Sequence, residues 1–91
     1  MNAARVERIR EALAALQPVR LDIRDDSAKH AGHAGARDGR GHFSVVIVSA
    51  AFECLPLIQR HKRVYAAMGT LMDTDVHALA IIAKTPVEAG G

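Results

Sequence analysis

The chain is poor in the residues that build most specialised sites. It has no tryptophan, one tyrosine and two phenylalanines, which leaves no series of aromatic platforms for stacking single-stranded nucleic acid. The single cysteine, Cys54, excludes an internal disulfide and any metal site made only of thiolates. The longest uninterrupted apolar run, residues 78–83, is far too short to span a bilayer. Residues 1–10 are charged and lack the apolar segment of a secretory leader. Neither sign of charge dominates, since 12 basic and 10 acidic residues leave a net +2, too small an excess to imply nucleic acid by itself. A reducing, cytoplasmic setting with no membrane partner is the resulting expectation. With 91 residues, 49% of them hydrophobic and 24% charged, the material suffices for one small folded domain over residues 1–91 with a core over about 3–88. A domain of this size exposes much of its surface, so any site is shallow or shared with a partner.

What is present is clearly patterned. Val6, Ile9, Leu13 and Leu16 recur at helical spacing with charged residues between them, predicting a helix over 3–16 that Pro18 ends. Val19, Leu21 and Ile23 then alternate with Arg20, Asp22 and Arg24, the period of a half-buried strand. Residues 25–41 hold Gly32, Gly35, Gly39 and Gly41 and hardly a large apolar side chain, which predicts a long, flexible surface loop. A β-branched run over 42–49 predicts a second strand with Phe43, Val45 and Ile47 on one face. Residues 50–55 form a short connection with room for one helical turn, and Pro56 suits the first turn of the next helix. In that helix Leu57, His61, Val64, Met68 and Leu71 fall on one stripe. Residues 73–75 make a turn. Residues 76–84 read as a third strand, apolar enough for the middle of a sheet, and Pro86 stops it. The order predicts an α+β two-layer domain: strands one and two antiparallel, strand three parallel after a helical crossover, in one three-stranded mixed sheet.

Five histidines are the unusual feature. Imidazole is a good ligand for zinc, copper or iron. His30 and His33 lie three apart in the glycine-rich loop, a weak spacing that more often marks solvated side chains. An autonomous structural zinc site would need four ligands, and no Cys-x-x-Cys helps to supply them. His77 heads an apolar strand where valine or threonine would serve as well, so it is either a strand-end histidine with one backbone hydrogen bond or a ligand. His61, on the apolar stripe, reads as a buried histidine. Arg60, Lys62 and Arg63 cluster on the same helix, either as a solvated face or as a patch for phosphates or an acidic partner. No nucleophile elbow surrounds any serine, and nothing points to an enzyme.

Several segments together resemble the BolA-like proteins: Asp26-Ser27, His30-Ala31-Gly32-His33-Ala34-Gly35, His42-Phe43, Gln59-Arg60-His61-Lys62-Arg63-Val64-Tyr65, Val76-His77-Ala78-Leu79 and Thr85-Pro86. The resemblance covers roughly residues 19–88 and is carried by the ordered combination of these pieces. It implies a fold similar to class II KH domains. It also implies partnership with monothiol glutaredoxins of the CGFS type, sharing a 2Fe–2S cluster to which the partner contributes its cysteine and a bound glutathione. His77 matches the family's C-terminal ligand, and His30 the loop ligand, with His33 as the near alternative. The implied role is an adaptor or regulator in iron–sulfur trafficking and iron or redox signalling, monomeric or weakly dimeric alone and without a cluster of its own. A second role that the resemblance suggests is that of a DNA-binding transcriptional regulator of stress response, morphology or motility, using Arg60, Lys62 and Arg63. The chain departs from many relatives at Cys54, where they carry glycine. A left-handed turn is costlier with cysteine there, which weakens the DNA reading; Cys54 otherwise reads as a small buried hydrophobe.

Overall fold

A computed structural model describes residues 3–27 and 41–90. Their order is α1 (Ala3–Leu13), β1 (Arg20–Asp25), β2 (Gly41–Val48), α2 (Leu57–Met68), α3 (Leu71–Thr74) and β3 (Val76–Lys84). Short 3-10 turns follow α1 (Ala14–Leu16) and β2 (Ala50–Phe52). The expected loop is trimmed by Asp25 in β1 and Gly41 in β2, and residues 28–40, with His30 and His33, lie outside the described residues.

The two-residue alternation sets the sheet. β1 runs antiparallel to β2 with Leu21 opposite Ile47 and Ile23 opposite Val45, and β3 runs parallel to β2 with Phe43 opposite Leu79, Val45 opposite Ile81 and Ile47 opposite Ala83. These residues form one face, closed over by Ile9 and Leu13 of α1, Val64 and Met68 of α2, and Phe52. Ser49 ties the layers together: its hydroxyl donates to the Leu16 carbonyl at 2.6 Å and accepts from the Ala51 amide at 3.0 Å. The result is the expected two-layer α+β fold with a three-stranded mixed sheet.

Three expectations need correction. β3 is not the middle strand. The sheet order is β1-β2-β3, because β1 occupies one side of β2 and the crossover through α2 delivers β3 to the other. The apolar content of β3 serves its inner face, while Ala78, Ala80 and Ile82 are exposed.

The stripe of α2 is also rotated at its start. Leu57 is 63% exposed and His61 only half-buried, whereas Arg60 is 8% exposed and faces inward with Val64 and Met68. Arg60 can occupy that position because each of its three guanidinium nitrogens has an acceptor. Nε donates to the Leu55 carbonyl at 2.8 Å, Nη1 to the Ala83 carbonyl at 3.1 Å, and Nη1 and Nη2 to the two carboxylate oxygens of Glu88 at 2.5 and 3.0 Å. Arg60 is therefore a structural residue and not part of an exposed docking patch. Glu88 in turn accepts from the Thr85 amide at 2.9 Å while its own amide donates to the Thr85 hydroxyl at 3.2 Å, a reciprocal arrangement that closes the turn after β3.

The third correction concerns Cys54, which is exposed, not buried. It adopts φ 65°, the left-handed region that glycine occupies freely. The tight turn between the 3-10 segment and α2 thus forms with a side chain in place.

Two predictions follow from these contacts. The Arg60 guanidinium, helped by the Thr85 amide, holds the Glu88 carboxyl at about 2 against an ordinary 4.5, and Glu88 raises Arg60 above its usual value. A carboxyl depressed in the folded state contributes stability fully above its unfolded value, and that contribution is lost as pH falls toward the folded value. Glu88→Gln should lower the melting temperature at neutral pH and remove part of the parent's acid destabilisation between about pH 4.5 and 2; an unchanged melting profile in that window would show that the ion pair carries no stability. Relief of left-handed strain, about 1–2 kcal/mol, less the added chain entropy of glycine, roughly 0.5–1 kcal/mol, predicts that Cys54→Gly stabilises by about 0.5–1 kcal/mol in chemical denaturation.

Candidate functional site

The site is built where β2 and β3 begin side by side. Gly41 pairs with Val76, but the next residue of β2, His42, pairs with Ala78, so β3 carries one extra residue there, His77. This is a β-bulge, a device that re-aims a side chain. Val76 is fully buried and Leu79 faces the core. Strict alternation back from Leu79 would aim position 77 inward. The extra residue leaves both His77 and Ala78 exposed while Val76 still fills the core. His77 thereby reaches the same outer side as His42, and the two imidazole centroids stand 5.2 Å apart with the rings tilted by 57°. His42 is half-buried on the central strand.

The backbone around this pair is held tightly. The Gly41 amide donates to the Asp75 carbonyl at 3.0 Å, fixing the start of β3 against the start of β2. A Cβ at Gly41 would come within 2.6 Å of the Phe43 ring and 2.8 Å of the Ser27 hydroxyl, so no side chain fits. Asp75 is clamped by Arg8 at 2.6 Å and Arg5 at 3.5 Å from α1. The Thr74 hydroxyl, with Arg8 and Arg5 adding to it, lowers the Asp75 carboxyl below its ordinary value. On the other side, the His42 amide donates to the Ser27 hydroxyl at 3.1 Å and the His42 carbonyl accepts from the Asp26 amide at 2.7 Å. Asp26 also takes the Ser44 hydroxyl and pairs with Arg24. Ser27 and Gly41, which flank residues 28–40, are thus both bound at the end where His77 emerges.

Of the residues expected to matter, the structure places His77 on this exposed corner, and it leaves His30 and His33 outside the described residues. Lys62 and Arg63 are exposed on α2, whereas Arg60 is withdrawn into its pair with Glu88. His42 was not expected to take part. Its position beside His77 depends on strand register, to which the only sequence clue is a histidine opening each of two strands. Among the described residues, no three histidine, cysteine, aspartate or glutamate side chains converge as a metal site, and no helix is long and apolar enough to cross a membrane.

Comparison with known proteins gives a consistent result. Residues 13–88 match the BolA family, described as BolA-like protein. The chain is 47% identical over 89 residues to "Protein BOLA1, chloroplastic" of Arabidopsis thaliana, covering 93% of this chain and 56% of that protein. It is 41% identical over 86 residues to "DNA-binding transcriptional regulator BolA" of Escherichia coli, covering 93% and 79%. The chain spans only about half or less of the first curated relatives it matches. Among solved structures, the BolA domain of SufE1 from Arabidopsis thaliana superposes with a TM-score of 0.83 at 42% identity, covering 94% of this chain and 96% of that one. Pattern, relatives and architecture agree: the chain belongs to the BolA-like protein family.

Proposed function

We propose that the chain is an adaptor that docks on a CGFS-type monothiol glutaredoxin and shares a 2Fe–2S cluster with it, supplying His77 and a histidine from residues 28–40. His30 is the first choice for the second ligand and His33 the alternative. The observation that carries this reading is the gathering of Ser27, Gly41 and the exposed His77 at one corner. Three peptide units separate Ser27 from His30, a tether of at most about 11 Å, so the chain length permits both imidazoles to meet one partner surface. The donor chemistry suits the group: two imidazoles in place of two thiolates leave a cluster less negative and raise its potential. The partner's cysteine and glutathione would hold the remaining iron. On this reading the chain catalyses nothing; it binds, and its role lies in iron–sulfur trafficking and iron or redox regulation. A reducing compartment such as the cytoplasm suits a chain with one exposed thiol.

The test is titration of the chain with cluster-loaded glutaredoxin, followed by absorption and circular dichroism. His77→Ala should abolish the heterodimer spectrum while leaving the fold intact. His30→Ala should give a weaker or more labile spectrum, with His33 able to substitute. His30→Cys should retain the cluster at a lower potential, since a thiolate adds negative charge. A His77→Ala protein giving the parental spectrum at parental affinity would overturn the reading.

A second reading, direct contact with DNA, is favoured by the name of the Escherichia coli relative and by the exposed Lys62 and Arg63. Withdrawal of Arg60 leaves that face two formal charges. The double variant Lys62→Glu/Arg63→Glu should lose binding to duplex DNA and flatten its salt dependence. Equal retention of parent and variant on DNA at low salt would remove this reading.

A further inference from the structure

His42 has no assigned role in the reading above, yet its ring is the nearest imidazole that the structure describes beside His77. We propose that His42 and His77 together form a two-histidine site for a borderline divalent cation, of the copper or zinc class, in the isolated chain. This proposal does not depend on the glutaredoxin reading. It rests on three features of the described residues.

The first is separation. Two imidazoles bound through nitrogen to one tetrahedral ion at about 2.0–2.1 Å carry their ring centroids about 5 Å apart. The observed separation is 5.2 Å, and the 57° tilt keeps the two rings from stacking face to face. The second is preorganisation. Each ring stands on a strand, not on a connecting segment, and the two strands are fixed to each other by the Gly41–Asp75 hydrogen bond and by the register on either side of the bulge. A ligand pair already held in place loses little freedom when the ion arrives. The third is access. His42 is half-buried and His77 exposed, so the ion would be held from the inner side by one imidazole and remain open to water on the outer side. Imidazole suits zinc, copper and nickel, and copper(II) binds most tightly to such donors. Carboxylates do not complete the set: Asp75 is already engaged by Arg5, Arg8 and Thr74.

The experiment uses the full, untagged chain without any partner. Cu2+ or Zn2+ is titrated in non-chelating buffer and followed by calorimetry, while substoichiometric Cu2+ is followed by broadening of individual histidine ring signals in NMR. One equivalent should bind, with the His42 and His77 signals broadening before that of His61. His42→Ala and His77→Ala should each weaken binding at least tenfold. Thermal melts accompany each variant, and His42→Asn replaces His42→Ala if the alanine variant does not fold. A folded His42 variant that binds Cu2+ within threefold of the parent overturns the proposal, as does broadening confined to His30 and His33. Failure here leaves the glutaredoxin experiment untouched, because that experiment reads His77 in a complex and does not vary His42.

Discussion

Val76 and Leu79 both face the core, and residues three apart cannot do so in an unbroken strand, whose side chains change face at every step. One residue between them has to be set out of register, and His77 is that residue. The rest of the corner follows from this constraint. The bulge needs the start of β3 to be held, and the Asp75 carbonyl with the Gly41 amide holds it. The Phe43 ring and the Ser27 hydroxyl close over the start of β2, which leaves room only for a residue without a side chain, and Gly41 has none. Arg5 and Arg8 of α1 then tie the same point to the helix layer through the Asp75 carboxylate. The arrangement makes an exposed histidine a consequence of core packing, since moving His77 inward would expel Val76.

At the opposite end of the sheet, a charge is placed where an apolar residue would ordinarily go. Burying a guanidinium is costly unless it is paired and fully hydrogen-bonded. Arg60 is paired with the Glu88 carboxylate, and that carboxylate and two carbonyls take four of its five N–H groups. Such a pair is weak evidence for net stability, because a well-packed apolar replacement can do as well. Its clearer contribution is to fix which way the start of α2 faces and where the chain goes after β3. With Arg60 inward, Leu57 is left outside.

The parts of this fold legible in the sequence are those with local periodicity. The alternation of Leu21 and Ile23 with charged residues, and of Phe43, Val45 and Ile47 within a β-branched run, marked the strands and their inner faces. The third strand matched over residues 76–84 to the residue. What failed depended on contacts distant in sequence. Nothing near Arg60 announces Glu88, 28 residues away, so a hydrophobicity stripe assigned Arg60 outward and His61 inward. The apolar content of β3 suggested a central strand, yet centrality is decided by which partner takes each side of β2. The closeness of His42 and His77 required both the parallel pairing and the bulge. Cys54 was legible in one respect only: the family resemblance implied a glycine-type turn at its position, and φ 65° bears that out, while its exposure was not visible.

The topology separates the two ends of the domain in a way that bears on function. An antiparallel β1–β2 pair puts the end of β1 beside the beginning of β2, and a parallel β2–β3 pair puts the beginning of β3 at that same end. Ser27 and Gly41, which flank residues 28–40, and the head of β3 are therefore gathered by strand direction alone. The far ends of β2 and β3 lead instead to Ser49 and to Thr85, and it is there that Arg60 and Glu88 close the structure. Six steps along the strand separate His77 from Ala83, about 20 Å at the usual rise, beyond the range at which substitutions ordinarily couple. The histidine corner and the lock that holds α2 and the terminal turn on the sheet are thus separate parts of the fold.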